Sequence, residues 1–293
     1  MKPKWLIVGS AGLLGSALLR ICAQEDVEVI GMDRESIDVT NAESIASAFD
    51  RVQPACVISA AAMTDVEGAE SPEGRALADL LNGTAVQLLA EACVARNIGF
   101  VQISTDSVFY GTDHEGAEES TIPEKAMNAY GESKRLGEKY MIDIFGGLDG
   151  SAFQRTTPVG YLIRTSWLFG HGARNFVGKV LAKASAGESL RIVDDEVGVP
   201  TFVDDLATRI CWMLKTHVPN GIYHVVNDGS CSRFDFAKAV VEAKGLDVPM
   251  EHVSMKDFPR KAHIEPVSIL RNTKLPPMPT WQDGVKRFVE GLE

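Results

Sequence analysis

Residues Trp5-Leu6-Ile7-Val8 run straight into Gly9-Ser10-Ala11-Gly12-Leu13-Leu14-Gly15, and the stretch 16–23 that follows has the composition of a helix. A short apolar strand, a glycine-rich turn and a helix, in that order, is the arrangement that holds a dinucleotide. Gly9 permits a turn that a side chain would obstruct, Gly12 lets backbone N–H groups approach a pyrophosphate, and Gly15 lets helix and strand pack closely. The helix start then turns its positive dipole end toward the phosphates. The spacing G-x-x-G-x-x-G is one residue wider than the common fingerprint, so the reading depends on what surrounds it.

What surrounds it alternates strand and helix. Residues 27–31 read as a second strand, followed by Asp33, eighteen residues beyond Gly15. A carboxylate there accepts hydrogen bonds from an adenosine ribose and favours NADH, whereas the adjacent Arg34 would hold a 2′-phosphate and favour NADPH. Both cofactors stay open. Asp38-Val39-Thr40-Asn41 leads into a helix over 42–50, with Thr40 or Asn41 as its cap. A third strand, 56–62, ends in Ala60, Ala61 and Ala62, small enough to leave room for a ribose or a nicotinamide, or for a packed helix. A long helix over 75–96, a strand over 100–103 and a helix over 128–145 follow. Then come a strand at 161–165, a helix at 175–186, a loop at 197–201, a helix at 203–214, a strand at 221–225 and a helix at 232–244. Pro259, Pro266, Pro276, Pro277 and Pro279 interrupt the last third before a final helix over 281–292.

This order predicts an α/β fold, a doubly wound, mostly parallel, Rossmann-like sheet with a smaller C-terminal substrate lobe. Residues 1–165 and 203–226 would form the dinucleotide-binding domain, and 166–202 with 227–293 the substrate-binding lobe. Residues 146–158 read as an exposed insertion.

The formal net charge of −11 sets the chain as a whole against nucleic acid and anionic membranes as partners, so an anionic substrate needs local donors. Five scattered cysteines without metal spacing read as buried free thiols in a reducing compartment. The first strand begins by about Lys4, leaving no room for a signal peptide, and no run approaches the ~20 apolar residues of a membrane span, so a cytoplasmic location is expected. The six histidines lack metal spacing, and no metal site is expected. Trp5, Trp212 and Trp281 read as packing, Asn82 as a structural hydrogen-bonder, and Glu290 and Glu293 as a solvated face.

The chemistry concentrates at two places. Ser104-Thr105-Asp106-Ser107 ends the fourth strand, where open α/β sheets bind ligands. Tyr130 and Lys134 lie four apart and share a helical face. A phenol with an ordinary pKa of ~10 exchanges protons poorly at neutral pH, and a nearby ammonium would lower that value. With Thr105 polarising a carbonyl, the set suits proton delivery to a ketone as hydride arrives from a nicotinamide.

Gly9-x-x-Gly12-x-x-Gly15, strand-end Thr105 and Tyr130-x-x-x-Lys134 together resemble the extended short-chain dehydrogenase/reductase family. The segments 57–70 and 103–109, Arg164-Thr165-Ser166-Trp167-Leu168-Phe169-Gly170 and Gly198-Val199-Pro200-Thr201 are similar, more narrowly, to its members that reduce the C4 ketone of 4-keto-6-deoxy sugar nucleotides. The resemblance implies an NADPH- or NADH-dependent reduction, with dTDP-4-dehydro-L-rhamnose the expected substrate. It implies Thr105, Tyr130 and Lys134 as catalytic residues. It assigns the cofactor to Gly9, Gly12, Leu13, Leu14, Asp33, Arg34, Asp38, Val39, Ala60, Ala61, Ala62, Ser104, Tyr130 and Lys134, and the substrate to Thr105, Asp106, Trp167 and Asn175. The implied partner is a small-molecule sugar nucleotide, and a homodimer is left open. Two alternatives stay alongside: an epimerase or dehydratase of the same family, and a non-catalytic NADP-binding regulatory subunit like the β subunit of methionine adenosyltransferase. Ser107, Ser59 and Met63 stand where the reductases have tyrosine, asparagine and tyrosine, departures that bear on the sugar pocket.

Overall fold

The computed structural model describes residues 2–146, 148, 158–172 and 175–292. Its first half runs β1 (Lys4–Val8), α1 (Leu13–Cys22), β2 (Glu28–Met32), α2 (Ala42–Val52), β3 (Cys56–Ser59), α3 (Pro72–Ala78), α4 (Ala85–Ala95), β4 (Gly99–Thr105), α5 (Ala129–Phe145) and β5 (Gly160–Thr165). Then follow β6 (Leu168–Phe169), α6 (Phe176–Ser185), β7 (Leu190–Val193), β8 (Val197–Gly198), β9 (Thr201–Phe202), α7 (Val203–Thr216) and β10 (Gly221–His224). The last are β11 (Cys231–Ser232), α8 (Arg233–Ala243), β12 (Met250–Val253), β13 (Val267–Ser268) and α9 (Trp281–Glu290).

Six strands form one sheet in the order β10-β5-β4-β3-β1-β2, every adjacent pair parallel. The chain enters at β1, moves outward to β2, then returns past β1 to β3, which opens a crevice between the carboxyl ends of β1 and β3. β4 and β5 are buried along their whole length because helices cover both faces of the sheet. On one face, Leu14 and Leu18 of α1 pack with Leu206 and Ile210 of α7 over Ile7. On the other, Ile45, Phe49, Leu89 and Met141 of α2, α4 and α5 cover Leu6 and Val57. A further core lies beneath α6, α8 and α9, centred on Phe169, whose ring lies 5.1 Å from Phe236 and 5.4 Å from Phe202.

Several sequence expectations change. The 197–201 loop contains β8 and starts β9, two-residue strands paired with β11, β13 and β6, so no local periodicity marks them. The long helix starts at Pro72, capped by Ser71, and a π-helical turn at Asp79–Thr84 separates α3 from α4. Asn82 in that turn is buried; it donates to the Met63 carbonyl and Ser133 Oγ and accepts from Met63 N–H, as a structural hydrogen-bonder would. The continuous stretch Pro72–Ala95 is, by length and composition alone, apolar enough to cross a membrane, contrary to the sequence reading. In the fold its Val86, Leu89, Ala90 and Cys93 are buried in the core with α2 and α5.

Cys22 and Cys211 form a disulfide, which corrects the reading of five free thiols. Helices α1 and α7 lie side by side and bring Cα atoms 189 residues apart in sequence to 6.2 Å, a proximity that spacing does not reveal. Cys56, Cys93 and Cys231 are buried free thiols. Trp5 and Trp281 are core residues, but Trp212 is exposed beside Arg209. Glu290 is exposed; Glu293 and most of the 146–158 insertion lie outside the described residues.

Candidate active site

The glycine turn sits at the crevice. Gly9 has φ +83°, and a Cβ built on it would lie 2.6 Å from the Ala61 backbone nitrogen; one on Gly15 would lie 2.1 Å from the Gly9 carbonyl oxygen. Turn, helix and the Ala60–Ala61–Ala62 segment therefore interlock through backbone alone. β3 ends at Ser59, so those three alanines leave the sheet as a loop. Gly12 is the N-cap of α1, which has no side-chain cap and no acidic residue in its first turn. Its first N–H groups are thus presented to the crevice, the donor set a pyrophosphate requires. Asp33 follows β2; its carboxylate accepts from Glu35 N–H, while the exposed Arg34 stands next to it. Asp38 closes a turn by accepting from Thr40 N–H and Oγ1, and Val39 is half-buried.

Beyond the crevice, Tyr130 is placed by the start of α5. Asn128 caps that helix by accepting from Gly131 N–H at 2.9 Å, and its amide donates to the His263 carbonyl. A Cβ on Gly131 would lie 2.0 Å from the Ser107 carbonyl oxygen, so only glycine lets this turn press against residues 105–107. Thr105, at the end of β4, caps the short turn Asp106–Val108 by accepting from Ser107 N–H.

Thr105, Asp106 and Tyr130 line one cavity of about 360 Å³ with Trp167, Glu196, Arg233, Arg260 and Ser268. A larger cavity of about 640 Å³ opens at the amino ends of the same strands, by Trp5, Cys56, Gly99 and Val159. It holds no comparable set of reacting groups, and open parallel sheets bind ligands at the other end.

The Thr105 hydroxyl donates to Asp106 Oδ1 at 2.9 Å, so giving its one proton to a ketone requires the side chain to rotate. Ser166 Oγ and Ser268 Oγ donate to Asp106 Oδ2 at 2.8 and 3.0 Å. Burial raises the Asp106 carboxyl above its usual range, against these hydroxyls and Arg233, which pull it down. Burial, then the Asp106 charge, pushes the Tyr130 phenol up to about 12, with a Thr105 hydrogen bond opposing. This reverses the sequence expectation of a lowered phenol. The Lys134 ammonium instead donates to the Ile103 carbonyl at 2.7 Å, and burial brings it down to about 8 while Glu138 opposes the fall. Ser104 Oγ donates to Glu138 Oε1, and Arg164 holds the same carboxylate through two bonds of 3.0 and 2.7 Å.

Trp167 carries φ +38°, a left-handed conformation rare for a bulky residue, and its ring lies 3.4 Å beneath the Arg233 guanidinium. Arg233 donates to Glu196 Oε1, and Arg260 lies 3.0 Å from Glu196 Oε2. Sequence reading missed both arginines along with Glu196, Ser166 and Ser268, although the need for local cationic donors in an acidic chain pointed to such a pair. Asn175 does not line this cavity; it caps α6, accepting from Gly178 N–H and donating to the Gly170 carbonyl.

A dinucleotide turn at the switch point of a parallel sheet, with a phenol, a lysine and a threonine over the carboxyl ends of its strands, defines the extended short-chain dehydrogenase/reductase class. Residues 3–293 match the family model described as RmlD substrate binding domain, and the chain belongs to that family. It is 32% identical over 291 residues to the spore coat polysaccharide biosynthesis protein SpsK of Bacillus subtilis, covering 98% of this chain and 97% of that protein. It is also 32% identical over 247 residues to a dTDP-4-keto-6-deoxy-D-glucose reductase of Streptomyces niveus, covering 84% and 81%. Among solved structures, the dTDP-4-dehydrorhamnose reductase of Bacillus anthracis in complex with NADP superposes with a TM-score of 0.90 at 31% identity, covering 99% of this chain and 100% of that one.

Proposed function

We propose that this protein reduces the C4 ketone of a 4-keto-6-deoxy sugar nucleotide at the expense of NADPH or NADH, with dTDP-4-dehydro-L-rhamnose as the expected substrate. The observation that carries the reading is the meeting of Thr105, Tyr130 and two arginines in one cavity beside the glycine-turn crevice, with Lys134 anchored just behind. The named activities of the relatives and the NADP of the Bacillus anthracis structure support it.

In this reading residues 1–165 and 203–226 hold the cofactor, and 166–202 with 227–293 the substrate. The uncapped α1 start, the Gly9–Ala61 contact and the small Ala60–Ala62 loop fit a dinucleotide, with Asp33, Arg34, Asp38 and Val39 on its adenosine side. When bound, that cofactor supplies the hydride. Tyr130 stays protonated across the physiological range, the form needed to give a proton to the C4 oxygen. Thr105 holds that oxygen, and Lys134 serves Tyr130 and the nicotinamide ribose. Trp167 and Asp106 border the sugar. Arg233 and Arg260, kept together by Glu196, supply the cationic donors that a diphosphate needs in a chain of net charge −11.

The test is an assay of the purified protein with dTDP-4-dehydro-L-rhamnose and each reduced cofactor. Loss of one reduced nicotinamide per sugar reduced is expected. Conversion of sugar without net oxidation of cofactor would identify an epimerase or dehydratase instead, and binding of NADPH with no turnover would favour a regulatory subunit.

A further inference from the structure

Arg233 opens α8, directly after its cap Ser232. A cation there stands at the positive end of the helix dipole, so the position by itself disfavours it and other groups have to hold it. Two do. Glu196, whose carbonyl accepts from the Arg233 backbone N–H, takes the Nε hydrogen on Oε1 at 2.9 Å, and the same oxygen lies 2.9 Å from Nη2. The Trp167 ring lies 3.4 Å beneath the guanidinium, at stacking contact. The carboxylate thus grips one edge of the cation, and the indole sets the plane in which it lies. Nη1 has no hydrogen-bond partner among the described residues, so part of the five-donor fork is left for a ligand. The indole is in turn held by backbone. Trp167 has φ +38°, its carbonyl accepts from Thr201 N–H at 3.2 Å, and a Cβ built on Gly198 would lie 2.4 Å from its Cε2. Only glycine at 198 admits the ring in this place. Gly198 itself does not line the cavity that Trp167 and Arg233 share with Thr105 and Tyr130.

We propose that Trp167 is a positioning residue: its ring, seated against Gly198, is the platform that holds the Arg233 guanidinium flat, so that Nη1 meets the anionic part of the substrate. The resemblance drawn from sequence gave Trp167 to the substrate, whereas the structure gives a face of its ring to Arg233. A sugar stacking on that face would have to expel the guanidinium. Trp167 therefore acts on the ligand through Arg233. That the anion is a diphosphate rests on the reductase reading; the platform itself does not.

The experiment reads binding of dTDP to the full chain by calorimetry, with circular dichroism and NADPH binding as checks on folding. Trp167→Ala and Arg233→Ala are each expected to weaken dTDP by about tenfold, and the double variant to bind no more weakly than Arg233→Ala alone. Additive losses would mean that Trp167 grips the ligand independently and would overturn the proposal. Trp167→Phe and Trp167→Leu fill similar room, but only the first offers a π face. The first is expected to stay within about threefold of the wild type and the second to fall about fivefold below the first. Equal binding by the two would also overturn the proposal, and this pair decides the matter should Trp167→Ala not fold. With sugar nucleotide and NADPH, Trp167→Ala is expected to raise KM with kcat held within about threefold, and a fall in kcat at unchanged KM would count against it. A measurement without ligand follows acrylamide quenching of Trp167, isolated from the other three of four tryptophans by subtracting Trp167→Phe. Quenching is expected to rise in Arg233→Ala, and unchanged quenching would remove the platform. A wild type that binds no dTDP, but whose Trp167 quenching responds to Arg233→Ala, would sink the sugar-nucleotide reading and leave the platform standing.

Discussion

Two buried carboxylates near the reacting groups, one on α5 after Lys134 and one at the end of β4, are treated in opposite ways. Glu138, one helical turn further along α5, is paired with the fully buried Arg164 and accepts from Ser104. Asp106, at the end of β4, receives only hydroxyls and opens onto the cavity. A carboxylate with a guanidinium clamped on it is held by two charge-assisted bonds, and its work is to hold the sheet and α5 in register. A carboxylate satisfied by hydroxyls has no cation bonded to it, and its charge adds to burial in raising the neighbouring phenol. The first arrangement serves the fold; the second leaves a field where a proton is to move.

Breaking the closed pair should have the largest effect. Arg164→Met removes the partner of a buried carboxylate and is expected to destabilise the protein by about 3–5 kcal/mol, measured by urea unfolding. Little loss would mean that the two carboxylates differ less than their partners suggest.

Next comes the phenol on the open side. Tyr130→Phe keeps the ring and removes the proton donor, so turnover should fall by a factor on the order of 10², about 2.7 kcal/mol of barrier, while NADPH binding persists. Undiminished turnover would remove Tyr130 from the chemistry.

The smallest effect is graded with pH and belongs to Lys134. Its folded value of about 8 lies below the ordinary 10.5, so between these values the unfolded chain binds more protons and this group makes stability rise with pH. Over the same window the folded protein loses the ammonium, and kcat/KM should decline above about pH 8. Activity falling while stability holds or improves would separate loss of the lysine charge from unfolding; a flat profile through pH 9 would contradict it.

Much of this was readable from neighbours in sequence. Apolar runs broken by Gly9, Gly12 and Gly15, the small residues after β3, and the four-residue step from Tyr130 to Lys134 are short-range patterns, set by the two-residue period of strands and the 3.6-residue period of helices. The parallel sheet follows from strands separated by helices, and the switch-point crevice follows from the sheet. Elements with no local period escaped. The two-residue strands β6, β8, β9, β11 and β13 exist through pairing with distant partners, and the disulfide closes across 189 residues. The direction of the phenol's shift escaped too, because it depends on burial and on Asp106 rather than on the lysine that the spacing brought to mind.

By itself the sequence determined the cofactor-type turn, the strand and helix order, and the presence of a phenol, an ammonium and a hydroxyl in the right succession. Only the tertiary structure decided that Arg233, Arg260 and Ser268 join them, that burial and then Asp106 raise the phenol, and that Glu138 is paired with Arg164. The reason is physical: periodicity is fixed by bond geometry within a few residues, whereas desolvation and charge act through space and take their values only after the chain has closed on itself.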